Sequence, residues 1–491
     1  EISVNENEKI KKIPLKKTFI TFTVEMDESM EENLSVSKDR ELHQNYIDYV
    51  RKNISMLPRE KCDVSGEITY CVSRHRGLLG TAKLVSISNH NETYYGRFDS
   101  GEEIVHIGYE TSQKIHLMLK YLLENNQNKR TLGKDCYLVN WFSDDIGNEE
   151  GVNLIDSISP DGDQEEEDEN DSPRSFGGNL SVTVNDYITG KRSGIDSDGK
   201  FYIMILDKIS NGRISIKYFR ELPKSELFER VENWYNTTSW PFYNYASGKL
   251  FQETPSLFRY ADTIFGLENN KGYLECRNSK LRTKTVERLL ACILEKRKFP
   301  RDLKNRMLNN LCNRSSYDKT WNYALTVGCS IFKKNQIDNQ NKKEVSQMLD
   351  ATKQERSYLY GRLLAVYEKM EQDVLNSRDT ESKNRRATNA ERLWNSYTKM
   401  PERTLKILEG KVRPYRENLI KINYGSVKFY DGIIADIMSR IRDDKDYEQK
   451  KNRELNEDFV FGYYAQKQSL YTKKDKKQDT ENSVQEKGGN D

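Results

Sequence analysis

The sequence predicts an α+β protein in which mixed α/β N-terminal and middle regions precede a C-terminal antiparallel four-helix bundle. Three observations carry that expectation. Up to about residue 219, short runs alternate apolar and polar side chains, as half-buried strands do. From about residue 344 the apolar residues recur at spacings of three and four, as on helices packed against one another. Within the first part, PDGDQEEEDENDSPRSFGG (160–178) holds too little apolar surface to join a core and reads as a solvated linker. The expected organisation is an N-terminal region (1–159), the acidic linker (160–178), a middle region (179–343), the bundle (344–471) and a disordered tail (472–491).

Taken in order, TFITFTVE (18–25), AKLVSIS (82–88) and CYLVNWF (136–142) read as strands. GYETSQKIHLMLKYLL, which starts at Gly108, changes to a helical period with Ile115, Leu119 and Leu122 as its apolar stripe, and Gly133 follows its end. FYIMILD (201–207) and RISIKYF (213–219) form a hairpin, signalled by Asn211-Gly212 between them. A helix in SELFERVENWY comes next, then an aromatic loop, TTSWPFYNYASG (237–248). Helices carrying TVERLLACIL and PRDLKNRMLNNL follow, with Pro300 suited to a first helical position.

The first bundle helix aligns Leu359, Leu363, Val366, Met370 and Val374. The second aligns Leu405, Leu408, Val412, Tyr415, Leu419 and Ile422, with Pro414 expected to kink or divide it. The third uses Val427, Tyr430, Ile434, Ile437 and Ile441, and the last runs through Phe459, Tyr463, Gln466 and Leu470. No internal repeat is present.

A chain of 491 residues is long enough for two or three domains. With 35% hydrophobic and 32% charged residues it is polar, but 29 tyrosines argue against global disorder. The net charge of +2 projects no overall basic field, so partners must be sought in local patches. Seven cysteines without a CxxC pair fit neither a disulfide framework nor a zinc ribbon; Cys62 and Cys71 read as reduced thiols. No apolar run approaches the roughly 18 residues of a membrane span, and the first residues carry no signal segment. A soluble, cytoplasmic protein is expected.

HIGYETSQKIHLMLKYLL (106–123) concentrates polar groups that raise the question of catalysis. A helical metal motif needs two histidines four apart, whereas His106 and His116 are ten apart with Glu110 between them. No HExxH, GxSxG or GxxxxGK[ST] pattern occurs, so no catalytic residue, metal site or cofactor is expected. Gln113, His116 and Lys120 instead form a polar stripe at helical spacing, suited to phosphate or base-edge contacts. Arg74, His75 and Arg76 in SRHRG, Lys83, Ser88, Asn89 and Arg97 add donors nearby in sequence. Gly77, Gly80, Gly96 and Gly108 would let backbone approach a ligand closely. In the bundle, KNRRATNAERLW (383–394), GKVRPYR (410–416) and FGYYAQKQSLY (461–471) mix basic and aromatic groups, as a single-stranded nucleic-acid track would.

CDVSGE (62–67), SRHRGLLGTAKLVSISN (73–89), YYGRF, IGYETSQKIHLMLKYLL and YLVNWFSDD resemble successive blocks of one family. So do GRISIKYFREL, TVERLLACIL, FPRDLKNRMLNNLCNR, YLYGRLLAVYEKME, ATNAERLWNSY and FVFGYYAQKQSLY. The blocks keep their order over residues 60–471. The family is the large, Csd-type subunit of the type I-C CRISPR surveillance complex, Cascade.

The resemblance implies a non-catalytic subunit that binds target double-stranded DNA beside a guide RNA (crRNA). Its expected partners are the backbone and small Cascade subunits and a helicase–nuclease. It implies that the front region reads the protospacer-adjacent motif and starts strand separation, while the helical C-terminal region lines the strand path. The family also makes its C-terminal bundle from an internal start, for which Met348 is the first candidate and Met370 the second. Family members carry a further segment ahead of the part matching residues 18–60, so a fragment or a shortened variant is expected. Asn89, Gln113, Lys83 and His116 are the expected motif-reading residues, and Arg74, Arg97 and Lys114 the phosphate contacts. Arg385, Arg386, Lys411, Arg413 and Lys467 are the expected strand track. The rival expectation is a stand-alone RNA-binding defence or processing protein, and a metal-dependent hydrolase ranks third.

Overall fold

The computed structural model describes residues 2–6, 9–13, 36, 39–86, 97–99, 103–147, 199–244, 249–342, 344–378 and 386–471. The strand expected at 18–25, the acidic linker, the tail, Ser88, Asn89, Gly96 and Arg385 lie outside the described residues. Among the described residues are thirteen α-helices and several small sheets, so the mixed α/β expectation holds. The chain divides into two compact units, Glu1–Tyr121 with Lys208–Ser215, and Leu122–Asp207 with Ile216–Asp491.

The first unit is built from short elements. Strands β1 (Ile2–Glu6) and β2 (Lys9–Ile13) pair antiparallel. Helix α1 (Arg40–Ile54) starts at Asp39, whose carboxylate accepts the Leu42 amide at 3.0 Å, and it buries none of its side chains. Two hairpins follow: β3 (Arg59–Lys61) with β4 (Ile68–Tyr70), and β5 (Gly77–Leu79) with β6 (Ala82–Lys83). The strand expected from residue 82 is therefore only two residues long before the chain bends. The turn between β5 and β6 explains two of the glycines. Gly80 adopts φ +65°, and a Cβ on Gly77 would lie 2.3 Å from Gly80 O, so both serve the turn itself. Helix α2 (Tyr109–Glu124) occupies the predicted segment.

The second unit holds a four-stranded sheet of β7 (Lys129–Gly133), β8 (Cys136–Phe142), β9 (Lys200–Lys208) and β10 (Ile214–Pro223), in the order β10-β9-β8-β7. Strands β8, β9 and β10 stand where the alternating runs predicted them. Leu138, Phe142, Phe201, Ile203 and Ile205 turn inward to join Leu227, Phe228, Val231 and Trp234 of α3 (Lys224–Thr238). The predicted aromatic loop is instead a ribbon, β11 (Trp240–Asn244) against β12 (Lys249–Glu253). Trp240 is buried against the rings of Phe461 and Tyr464, and a two-stranded ribbon tolerates Pro241 on its open edge.

Helix α4 (Leu257–Phe265), the short pair β13 (Leu267–Glu268) and β14 (Leu274–Glu275), α5 (Ser279–Leu294), α6 (Arg301–Cys312) and α7 (Trp321–Gln340) complete the middle of the chain. Pro300 sits at the N-cap of α6, one position before the first turn.

Among the described residues, six helices, not four, fill the C-terminal region: α8 (Arg356–Arg378), α9 (Asn389–Lys399), α10 (Pro401–Ile422), α11 (Tyr424–Arg442), α12 (Tyr447–Lys450) and α13 (Asp458–Tyr471). The proline that separates helices is Pro401, in the first turn of α10, while Pro414 lies inside it. A capping box, with Thr388 and Glu391 bonded reciprocally, starts α9.

Helix α8 is the centre of this region. It is buried on every side from Ser357 to Glu368 and packs on α10, α11 and α13. Its crossing with α13 is made by paired glycines. A Cβ on Gly361 would lie 2.1 Å from Phe459 O, and one on Gly462 would lie 2.0 Å from Tyr358 O. One apolar cluster runs from Leu132 to Ala465, across the boundary expected at 343.

Candidate nucleic-acid interface

In the first unit, α2 turns a polar group inward. Its buried side carries Ser112, His116 and Leu119, and Lys114, Leu117 and Lys120 are exposed. Gln113 and Ile115 are half-buried. The stripe Gln113–His116–Lys120 is therefore not a single exposed face. His116 is only 2% exposed; its Nδ1 donates to Ser112 O at 2.7 Å, and its ring stacks on His75 with centroids 5.8 Å apart. Direct contact with DNA by His116 is thus at odds with its position, because the ring is buried and its Nδ1 is bonded within its own helix.

His75 Nδ1 lies 2.9 Å from Ser112 Oγ, so the middle residue of SRHRG is tied to α2. Its neighbours Arg74 and Arg76 are exposed, as are Arg97 and Lys114. Half-buried Lys83 forms a parallel bridge with exposed Arg213, and its amide donates to Gly212 O at 3.2 Å. Thr81 Oγ1 donates to Asn211 O at 2.8 Å, fastening the same turn to the β5–β6 hairpin. Arg213 was not singled out from sequence, because only the fold brings the β9–β10 turn to Lys83. Arg74, Arg76, Lys83, Lys114 and Arg213 have no carboxylate partner among the described residues.

The other two polar residues of the segment have separate partners. His106 Nε2 pairs with Glu60 at 2.9 Å, and Glu110 pairs with Arg51 at 3.6 Å. Among the described residues no three His, Cys, Asp or Glu side chains are placed to hold a metal ion. Gly108 serves packing, since a Cβ there would lie 2.4 Å from Thr69 Cγ2. Buried Cys62 accepts the Gly108 amide at 3.3 Å and the Ser65 amide at 3.5 Å. Burial pushes its thiol up, but these amides outweigh that and bring it down to about 6. Burial, with Cys62 nearby, pushes the Cys71 thiol up.

In the second unit the expected strand track separates into outer and inner parts. Arg386 and Lys411 are exposed, and exposed Arg413 pairs with Glu417 at 3.2 Å. Lys467 turns inward, 3.1 Å from Tyr463 OH and 3.5 Å from Glu368. The aromatic segment around it is interior too. Tyr463 is fully buried and Tyr464 nearly so, while Gln466 accepts from Arg362 Nε at 3.0 Å. Residues 458–466 of α13 are buried on all sides, which overturns the first half of FGYYAQKQSLY as a surface track, while Ser469 and Tyr471 at its end are exposed. More exposed aromatics stand elsewhere: Tyr424 is 67% and Phe429 58% exposed, beside exposed Lys421 and Lys428 at the α10–α11 corner. Met348, in the connection from α7 to α8, is 80% exposed, and Met370 is buried.

No helix among the described residues is long and apolar enough to cross a membrane. A family model described as CRISPR-associated protein (Cas_Csd1) matches residues 2–471 of the chain. No curated protein matches it.

Proposed function

The chain belongs to the CRISPR-associated Csd1 family, and on that premise we propose that it is a non-catalytic large subunit of a type I-C RNA-guided surveillance complex. In this reading it recognises the protospacer-adjacent motif, promotes duplex opening and R-loop formation, and supports recruitment of a helicase–nuclease. Its partners are the guide RNA, target double-stranded DNA and the backbone and small subunits. Base pairing with the guide supplies sequence specificity, so the protein needs only a few donors for a short motif and cations for phosphates.

The observation that carries this reading is the set Arg74, Arg76, Lys83 and Arg213. Four cations without carboxylate partners among the described residues belong to one small unit, and Arg74, Arg76 and Arg213 are exposed. Cations held this way attract phosphate instead of neutralising the protein's own acids. Gln113 and Asn89 are assigned to the motif, with Lys83, Arg74, Arg97 and Lys114 on flanking phosphates. The α10 cations Lys411 and Arg413, with Arg385 and Arg386, are assigned to the strand path.

The test uses the guide-loaded complex. Replacing Asn89 and Gln113 together with alanine is expected to weaken binding to a motif-bearing duplex far more than to the same target already melted. Equal losses on both substrates reject motif reading. A chain that copurifies with neither guide RNA nor other subunits rejects membership of the complex.

A further inference from the structure

The stacked pair His75 and His116 is the largest polar feature of the first unit that the proposed function leaves without a role. Both rings are more than nine-tenths buried, and both Nε2 atoms are buried without a hydrogen-bond partner among the described residues. The geometry places a hydrogen on one ring nitrogen: a carbonyl oxygen only accepts, so His116 Nδ1, 2.7 Å from Ser112 O, is the donor. Ser112 Oγ lies between the rings, 2.9 Å from His75 Nδ1 and 3.5 Å from His116 Nδ1. The ring planes are 13° apart.

The charged or titratable groups acting on His75 are His116 from α2 and Lys83 from β6, all of one sign when charged, and no carboxylate is among them. Burial first, then these two neighbours, hold the His75 imidazole below its usual range.

We propose that His75, stacked on His116 and bonded to Ser112, is an uncharged bracket that holds the SRHRG loop on α2 and releases it when His75 is protonated, so that presentation of Arg74 and Arg76 is gated by pH. His75 is then a positioning residue for its two exposed neighbours. The consequence for DNA binding rests on the function proposed above; release of the loop does not. The direction is diagnostic. Acid normally adds positive charge and tightens binding to phosphate, whereas here the folded bracket is lost as pH falls below the usual histidine range, because the opened loop takes up protons that the closed one excludes.

The test combines two measurements on the guide-loaded complex. Hydrogen exchange of the peptide spanning residues 72–80, corrected for intrinsic rate, is compared at pH 7.5 and 5.5, and duplex affinity is measured at both. In the unaltered protein the loop is expected to lose at least about tenfold of its protection in acid and the affinity to fall with it. His75→Asn keeps a hydrogen-bonding group near Ser112 but cannot titrate, and is expected to hold both quantities within about twofold across the range. His75→Ala is expected to show an open loop at both pH values. Unchanged protection in the unaltered protein, or an acid response surviving in His75→Asn, overturns the bracket. Loop release without loss of affinity upholds the bracket and removes this loop from the DNA-contacting set.

Discussion

The two units separate two kinds of chemistry. All five histidines (His43, His75, His90, His106 and His116) belong to the first, and all five tryptophans (Trp141, Trp234, Trp240, Trp321 and Trp394) to the second. The first takes its shape from turns and hydrogen bonds: hairpins of two or three residues, a helix with nothing buried, and imidazoles, a hydroxyl and thiols in its interior. The second takes its shape from close packing around a helix buried on all sides and a glycine–glycine crossing. On the bracket proposed above, the first unit is expected to respond mainly to proton concentration and the second mainly to changes in volume. Tryptophan fluorescence therefore reads the second unit without interference from the first.

The comparison breaks most directly at the helix crossing. Gly462→Ala forces α8 and α13 apart or bends them, and is expected to cost the second unit about 3 kcal/mol or more in urea unfolding followed by fluorescence. A loss under about 0.5 kcal/mol would show that the crossing is loose. Trp394→Ala is expected to cost about 3–5 kcal/mol by the same measurement, since the ring meets Trp321, Phe459 and Tyr463 and its Nε1 donates to Leu311 O at 2.8 Å. The same contacts mean that a segment beginning at Met348 lacks Leu311 and Trp321, and is expected to be less stable alone than within the full chain.

Even the second unit has a proton-sensitive position. Lys333 is buried, donating to Asn236 O at 2.8 Å and Ser239 O at 3.0 Å, and burial brings its ammonium down to about 8. The unfolded chain binds that proton up to the ordinary lysine range, so stability should rise with pH between about 8 and 10.5. In Lys333→Met this pH dependence is expected to be absent, so that it appears, at up to about 3 kcal/mol, as the difference between the two proteins. An identical pH profile would mean that the amine stays solvated.

A smaller effect is expected at Glu268, which accepts the amides of Asp318 at 2.8 Å and Lys319 at 2.9 Å and the Thr320 hydroxyl at 2.7 Å. Burial pushes its carboxyl up, but these donors outweigh it and hold the group below the usual range. Its stabilisation is present above the ordinary glutamate pKa and is lost as pH falls through the lower, folded value. Glu268→Gln should cost about 1–2 kcal/mol at pH 7 and leave a flatter acid limb. The smallest change in stability, within about 0.5 kcal/mol, is expected for Lys411→Ala with Arg413→Ala. That pair should instead lower the salt slope of DNA binding by about one to two, and an unchanged slope would remove α10 from the strand path.

Local pattern was legible where an element has one buried face. CYLVNWF, FYIMILD and RISIKYF became β8, β9 and β10, and α2 begins at Tyr109 as its period indicates. The sequence pattern does not mark helix α7, and it gives α13 the look of an exposed track, for one physical reason. Helices enclosed on all sides show no polar–apolar alternation from which burial can be inferred.

The sequence alone determined the periods of most strands and helices, the lack of metal-binding spacing in HIGYETSQKIHLMLKYLL, and the family. Only tertiary structure decided which side of each helix meets water. Gln113, His116 and Lys120 share a spacing, yet His116 lies inside because His75 stacks on it and Ser112 binds it. Lys83 and Arg213 are far apart in the chain and meet because a hairpin turn returns to β6. Spacing is a property of one segment, whereas burial belongs to the pair of surfaces that the fold brings together.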